Sequence, residues 1–280
     1  MSAASFLASI TEAKRAQMRR VSAADRDAVR SAAFAKRADR PNHVFRDALA
    51  RLDQVNIIAE VKRSSPSAGA IRPDADPVRF ASLYARHGAA AISVLTEPDY
   101  FSGSLDDLEM VCEMVSCPVL RKDFIVDSHQ IFEAAAAGAQ AVLLIVASLA
   151  PAEIVGLRTL AEDELGMDAL VEVHAAAEMR IAIDSGAGII GVNNRNLATL
   201  AVDLATSRAL ARYAEPGRML VSESGLRTAD DLRELGTLGY NAFLIGELLM
   251  RASDPGQELE HLIAQASRQS LGVSEEITRG

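Results

Sequence analysis

Eight short apolar segments, each followed by a helical pattern, set the limits on what this chain can fold into. The segments are 55–62, "AAAISVLT" (89–96), "PVLRKDF" (118–124), "AVLLIV" (141–146), "ALVEVH" (169–174), "GIIGVNN" (188–194), "MLVSES" (219–224) and "AFLIG" (242–246). Between them lie stretches with apolar residues at three- and four-residue steps: 76–88, 104–115, 128–139, 151–166, 176–187, 204–214 and 228–239. Several of these end in glycine, a common helix stop. Short strands alternating with helices imply βαβ units and a parallel sheet. Eight units in succession suit a closed (β/α)8 TIM barrel better than an open sheet. A doubly wound sheet is the weaker reading, because no G-x-G-x-x-G follows the first strand. Residues 51–270 are therefore expected to form one α/β barrel. Residues 1–50, helical in pattern, form an N-terminal extension packed on it, and 271–280 read as a flexible tail.

Composition narrows the function. Hydrophobic residues make up 49% of the 280, enough for a large core. The net charge of −9 argues against a nucleic-acid partner, which needs a basic face. It leaves room for an anionic small molecule in a local basic pocket. Two cysteines, Cys112 and Cys117, give no disulfide framework and no metal cluster, which fits a reduced, cytoplasmic setting. The opening "MSAASFLASITEAKRAQMRR" turns polar too soon for a signal peptide, and no apolar run approaches the roughly 20 residues of a membrane span.

Function in such a barrel sits at the C-terminal strand ends, and there the polar residues collect. The first strand ends "IIAEVKRSSPS", with Glu60 and Lys62 two apart and so on one face. Lys122 is near the end of the third strand, Glu172 lies within the fifth, Asn193 and Arg195 end the sixth, and Glu223 and Ser224 end the seventh. A buried charge is costly unless paired or useful. Any one of these alone reads equally well as a structural ion pair; five strand ends together point to a site. Gly225 and Gly246 follow the last two strands, where barrels commonly bind phosphate through backbone N–H groups. Glu247 beside them must turn its carboxylate away and offer only its N–H.

These motifs resemble the indole-3-glycerol-phosphate synthase family of tryptophan biosynthesis. The carriers are "AEVKRSSPSAG", "ISVLTEPDYFSGS", "PVLRKDFIVDSHQI", "VEVH", "GVNNRNL", "VSESGL" and "FLIGELLM", with "FLASITEAKR" resembling the family's leading helix. The resemblance implies a carboxy-lyase that closes the ring of 1-(2-carboxyphenylamino)-1-deoxyribulose 5-phosphate, giving indole-3-glycerol phosphate, CO2 and water. It implies no metal and no cofactor; the five histidines form no ligand pattern either. By motif position, Lys122 resembles the general acid and Glu172 its acid–base counterpart. Glu60, Lys62 and Asn193 resemble catalytic residues. Ser65, Arg195, Glu223 and Ser224 resemble the binding set, and Phe101, Phe124 and Leu197 the apolar walls around the anthranilate ring. Asn196 departs from the family's usual aspartate beside the arginine.

The chemistry fits this inventory. Cyclisation needs a proton at the carbonyl oxygen and dehydration needs one at the leaving hydroxyl. Lysines lowered by neighbouring cations, or carboxylic acids raised by burial, supply such protons. Which residue serves which step stays open; Lys62 is either the second acid or a partner of the phosphate. Two other readings compete: a phosphate-binding isomerase such as phosphoribosylanthranilate isomerase, and a non-catalytic phospho-ligand sensor. The expected assembly is a monomer or weak homo-oligomer.

Overall fold

The structure, a computed structural model, describes residues 3–196 and 199–267. All eight expected strands form: β1 (Asn56–Val61), β2 (Ala91–Leu95), β3 (Val119–Lys122), β4 (Ala141–Ile145), β5 (Asp168–Val173), β6 (Ile189–Asn193), β7 (Met219–Glu223) and β8 (Ala242–Ile245). Each pairs in parallel with its neighbours, and β8 pairs with β1 to close the barrel. Closure leaves no free sheet edge.

The period of two along each strand divides the apolar residues into two sets. Ile58, Leu120, Leu143, Leu170, Ile189, Val221 and Leu244 meet inside the barrel. Phe45 and Leu49, from a short helix over Val44–Leu49 that the sequence pattern did not separate from its surroundings, join that cluster beside Ala90, Ala141 and Ala242 and so close the floor. Ile57, Ala59, Val119, Val142, Val171 and Ile190 face outward into the layer under the helices. The inward set is polar at both ends: at the floor Asn56 and Asp168 bond the backbone of Leu49 and Arg46, and at the top the charged residues begin. Glu60 stands level with Ser93, Leu95 with Lys122, Ile145 with Glu172, and Asn193 with Glu223.

The helical extension docks through charged residues with long stems. From the helix Ala3–Met18, Lys14 reaches Asp123 (3.0 Å) and Arg15 clamps Glu153 through two bonds of 2.8 and 2.9 Å. From the helix Ala23–Arg37, Arg37 donates to the carbonyls of Leu165 (2.7 Å) and Gly166 (2.8 Å). Those carbonyls end the 151–166 helix, which runs as α-helix to Thr159 and widens into a π-turn over Leu160–Glu164. Residues 268–280, the expected tail included, lie outside the described residues.

Candidate active site

The mouth of the barrel holds a cavity of about 450 Å³ lined by Glu60, Lys62, Ser65, Phe101, Lys122, Phe124, Glu172, Asn193, Arg195, Glu223, Ser224, Gly225, Gly246 and Glu247. Every site residue named from sequence is thus at one place, except Leu197, which lies outside the described residues.

Lys122 is the centre. Its Nζ donates to Glu172 Oε2 (3.2 Å) and lies 3.6 Å from Glu223 Oε2. Burial works against its charge, but Glu172, Glu223 and Glu60 outweigh it and hold the ammonium above the ordinary lysine range. The carboxylate partner expected for this lysine is therefore Glu172, and of the two general ways to supply a proton, a lysine lowered by neighbouring cations is not the one Lys122 uses. Of the carboxyl pair, burial works against Glu172 too, but Lys122 and His174 keep it low and ionised. Glu223 goes the other way. Burial pushes it up, and the charges of Glu172 and Glu60 add to that against Lys122. Its Oε1 is buried and has no hydrogen-bond partner among the described residues. Like charges this close resist ionising together, so of the pair it is Glu223 that is biased toward its protonated form. The second ammonium, Lys62, donates to Glu60 Oε1 at 2.5 Å.

Two glycines make room for these carboxylates. A Cβ at Gly191 would strike Glu223 Oε1, and one at Gly246 would strike Glu60 Oε1. Gly246 therefore has a packing duty beside any phosphate duty. Gly225 sits at φ +83° after Ser224 at +65°, a left-handed pair that turns the chain sharply off β7. The Glu247 side chain accepts from Arg251 Nε at 2.9 Å one turn along its own helix.

Apolar walls complete the cavity. Phe101 and Phe124 stand 6.3 Å apart between ring centroids. Phe6 and Leu7 of the N-terminal helix also line it, with Phe6 packed edge-on against Tyr100 at 4.7 Å. Sequence reasoning missed these two, along with Glu97 and Arg227. Glu97 had a visible signal in "LTEPDYF": its carboxylate caps the helix Pro98–Phe101, accepting from the N–H groups of Asp99 and Tyr100, and so aims Phe101. After β1 the chain folds into a small hairpin that pairs Ser64 with Ala70 and Ser65 with Gly69. Arg63 pins it through Asp107 (3.0 Å) and the carbonyl of Ala75 (3.0 Å). Among the described residues, no group of three or more His, Cys, Asp or Glu side chains is arranged to hold a metal ion.

The family model described as indole-3-glycerol phosphate synthase matches residues 7–262. The chain belongs to the indole-3-glycerol phosphate synthase family. The proteins of that name from Carboxydothermus hydrogenoformans and Bordetella pertussis are 50% and 49% identical to it, each over 75% of this chain and 80% of their own. The one from Albidiferax ferrireducens is 46% identical over 83% of this chain and 90% of its own. Likeness of fold reaches further. KGPDC from Streptococcus mutans superposes with a TM-score of 0.60 over 77% of this chain and 98% of its own, at 12% identity. Thiamine phosphate pyrophosphorylase from Pyrococcus furiosus gives 0.58 over 79% and 98%, at 16% identity.

Asn196, the position that departs from the expected aspartate, bonds locally. Its Oδ1 accepts the Thr199 N–H (3.0 Å) and its carbonyl accepts the Leu200 N–H (2.8 Å). The Leu200 carbonyl in turn accepts from Arg195 Nη1 at 3.1 Å. In this member of the indole-3-glycerol phosphate synthase family, Arg195 is steadied by that backbone carbonyl.

Proposed function

We propose that this chain is an indole-3-glycerol-phosphate synthase, with Lys122 and the Glu172–Glu223 pair as its proton-transfer centre. The observation that carries this reading is one ammonium held between two buried carboxyls, 3.2 and 3.6 Å away, at the mouth of a cavity with aromatic walls. Phe101, Phe124 and Phe6 suit an anthranilate ring. Ser224, Gly225 and the backbone at Gly246 and Glu247 suit a phosphate, with Arg227 and Lys62 near enough to offset its charge.

The steps follow from the charges. The ring carbon bearing the carboxylate attacks the ribulose carbonyl, whose electron pair moves onto oxygen. The alkoxide that results is a stronger base than any lysine amine, so even a firmly charged Lys122 gives it a proton. Loss of CO2 returns the bonding pair to the ring and restores conjugation. In dehydration the hydroxyl leaves as water with a proton from Glu223, while Glu172, kept ionised, takes the proton released from the substrate. Lys62, held by Glu60, binds the anionic substrate. The expected setting is the cytoplasm; no helix among the described residues is long and apolar enough to cross a membrane.

The test is turnover of the carboxyphenylamino-deoxyribulose phosphate, followed by CO2 release and the rise of indole fluorescence together. Rearrangement without CO2 would mean an isomerase, and binding without turnover would mean a sensor.

A further inference from the structure

His174 lies just past the end of β5, on the same face as Glu172, and belongs to no group assigned above. Its backbone N–H donates to Glu178 Oε2 (2.7 Å), and its Nδ1 lies 3.2 Å from the same oxygen. Glu178 stands in the first turn of the helix Ala176–Asp184, so one carboxylate fixes both the chain and the ring of His174. The other ring nitrogen, Nε2, is 3.3 Å from Glu172 Oε1. It is buried and out of line for a hydrogen bond in the free protein. Hydrogen bonds of this kind often tighten only when substrate is bound. Glu172 thus has a basic group at each oxygen, Lys122 at Oε2 and His174 at Oε1, whereas the basic group at Glu223 among the described residues is Lys122, at the longer distance of 3.6 Å.

We propose that His174 is a positioning residue for the reaction: it holds Oε1 of Glu172 so that Oε2 stays on Lys122. The ring must be charged to do this. Burial opposes that charge, but Glu172 and Glu178 outweigh burial and raise the imidazole to about 10. The titratable groups facing Glu172 are Lys122 from β3, Glu223 from β7 and His174 just past the end of its own strand; those facing His174 are Glu172 and Glu178. This inference rests on Glu172 being the base of the reaction.

The experiment is kcat and KM against pH for the wild type and for His174→Leu, His174→Gln, Glu178→Gln and Glu172→Gln. Without the imidazolium, the pKa of Glu172 rises, so the acid limb of kcat in His174→Leu moves to higher pH. Its kcat falls about ten- to hundredfold, the size expected for losing a bond to a charged group, with KM nearly unchanged. His174→Gln keeps a donor without the charge; it recovers much of kcat but keeps the shifted limb. Glu178→Gln still accepts the backbone N–H and shifts the limb the same way by less, which decides the matter should His174→Leu not fold. An acid limb unmoved in His174→Leu, or in Glu178→Gln if His174→Leu is lost, overturns the proposal. Glu172→Gln separates the two claims. If it is inactive while the His174 variants match wild type, only the positioning role fails. If it keeps its rate, the base assignment fails as well.

Discussion

At the scale of single residues, the lysine at the centre of the mouth has two possible duties. A proton donor and an electrostatic anchor both need an ammonium there, and the carboxylates around Lys122 guarantee it. The two duties differ in what replaces the lysine. Lys122→Met keeps the stem and removes the proton. A general acid contributes roughly 10² to 10⁴ in rate, so kcat should fall by about that factor while KM moves little. Lys122→Arg keeps the charge but gives up its proton poorly, and should also be slow. Steady-state kinetics with circular dichroism decides this. Near-normal kcat in Lys122→Arg would reduce Lys122 to an anchor, and a loss confined to KM in Lys122→Met would say the same. The pairing of Lys122 with Glu172 was legible in the sequence, since both sit at strand ends on inward positions. The contact with Glu223 was not, because which strands face each other across a barrel depends on closure and stagger, and those are not written in any one segment.

At the scale of elements, the strands were readable and the loops were not. A strand announces itself through a run of apolar, β-branched residues bounded by turn residues. The hairpin after β1 and the helix Pro98–Phe101 are two to four residues each and hold through specific bonds, such as those of Arg63 and Glu97, that leave no period to detect. The loop glycines show the same limit. Sequence gave Gly225 and Gly246 one shared reason, whereas the structure gives Gly246 a carboxylate to accommodate. The two should therefore respond differently. A bulky residue at Gly225 strains a left-handed position in the loop proposed for phosphate, and KM should rise much more than kcat falls. Gly246→Ala pushes on Glu60, so kcat should fall at least as much as KM rises. The same split for both variants would refute the distinction.

The N-terminal helix makes a further case at this scale. Lys14 and Asp123 are 8% and 3% exposed, and Asp123 stands between Lys122 and Phe124 in the chain. Arg121 (3.0 Å) and Thr96 (2.6 Å) hold the other carboxylate oxygen. Burial works against its charge, but Arg121 and Lys14 carry the Asp123 carboxyl down to about 2. A buried carboxylate left with no partner costs about 3–5 kcal/mol. Because Arg121 and Thr96 remain, Lys14→Met should cost only about 1.5–3 kcal/mol. It should also lower kcat, since the segment bearing Lys122 and Phe124 loses one of its ties. A fall in denaturation midpoint with kcat intact would make the helix a cover rather than a part of the site.

For the whole molecule, the carboxyl pair has a consequence that reaches beyond catalysis. An unfolded glutamate titrates near 4.3, to within about a unit. Glu223 in the folded protein titrates above that, so over the interval between the two values the folded state binds more protons than the unfolded one. Stability then falls as pH rises through that interval. His174 acts in the same direction over a higher window, from the ordinary histidine value of about 6.5 to about 10: its contribution is complete below the first and lost on approaching the second. Glu172 works oppositely, since its depressed value adds stability above the ordinary glutamate range and loses it only in acid. Glu223→Gln removes the first of these terms and leaves the other two. Its melting temperature should therefore lie above that of the wild type by more at pH 8 than at pH 5, while its activity is lost. Melting curves taken at both pH values check this. Parallel pH dependences in the two proteins would mean that Glu223 is ionised like its neighbour, and the proton assigned to it for dehydration would have to come from Lys62.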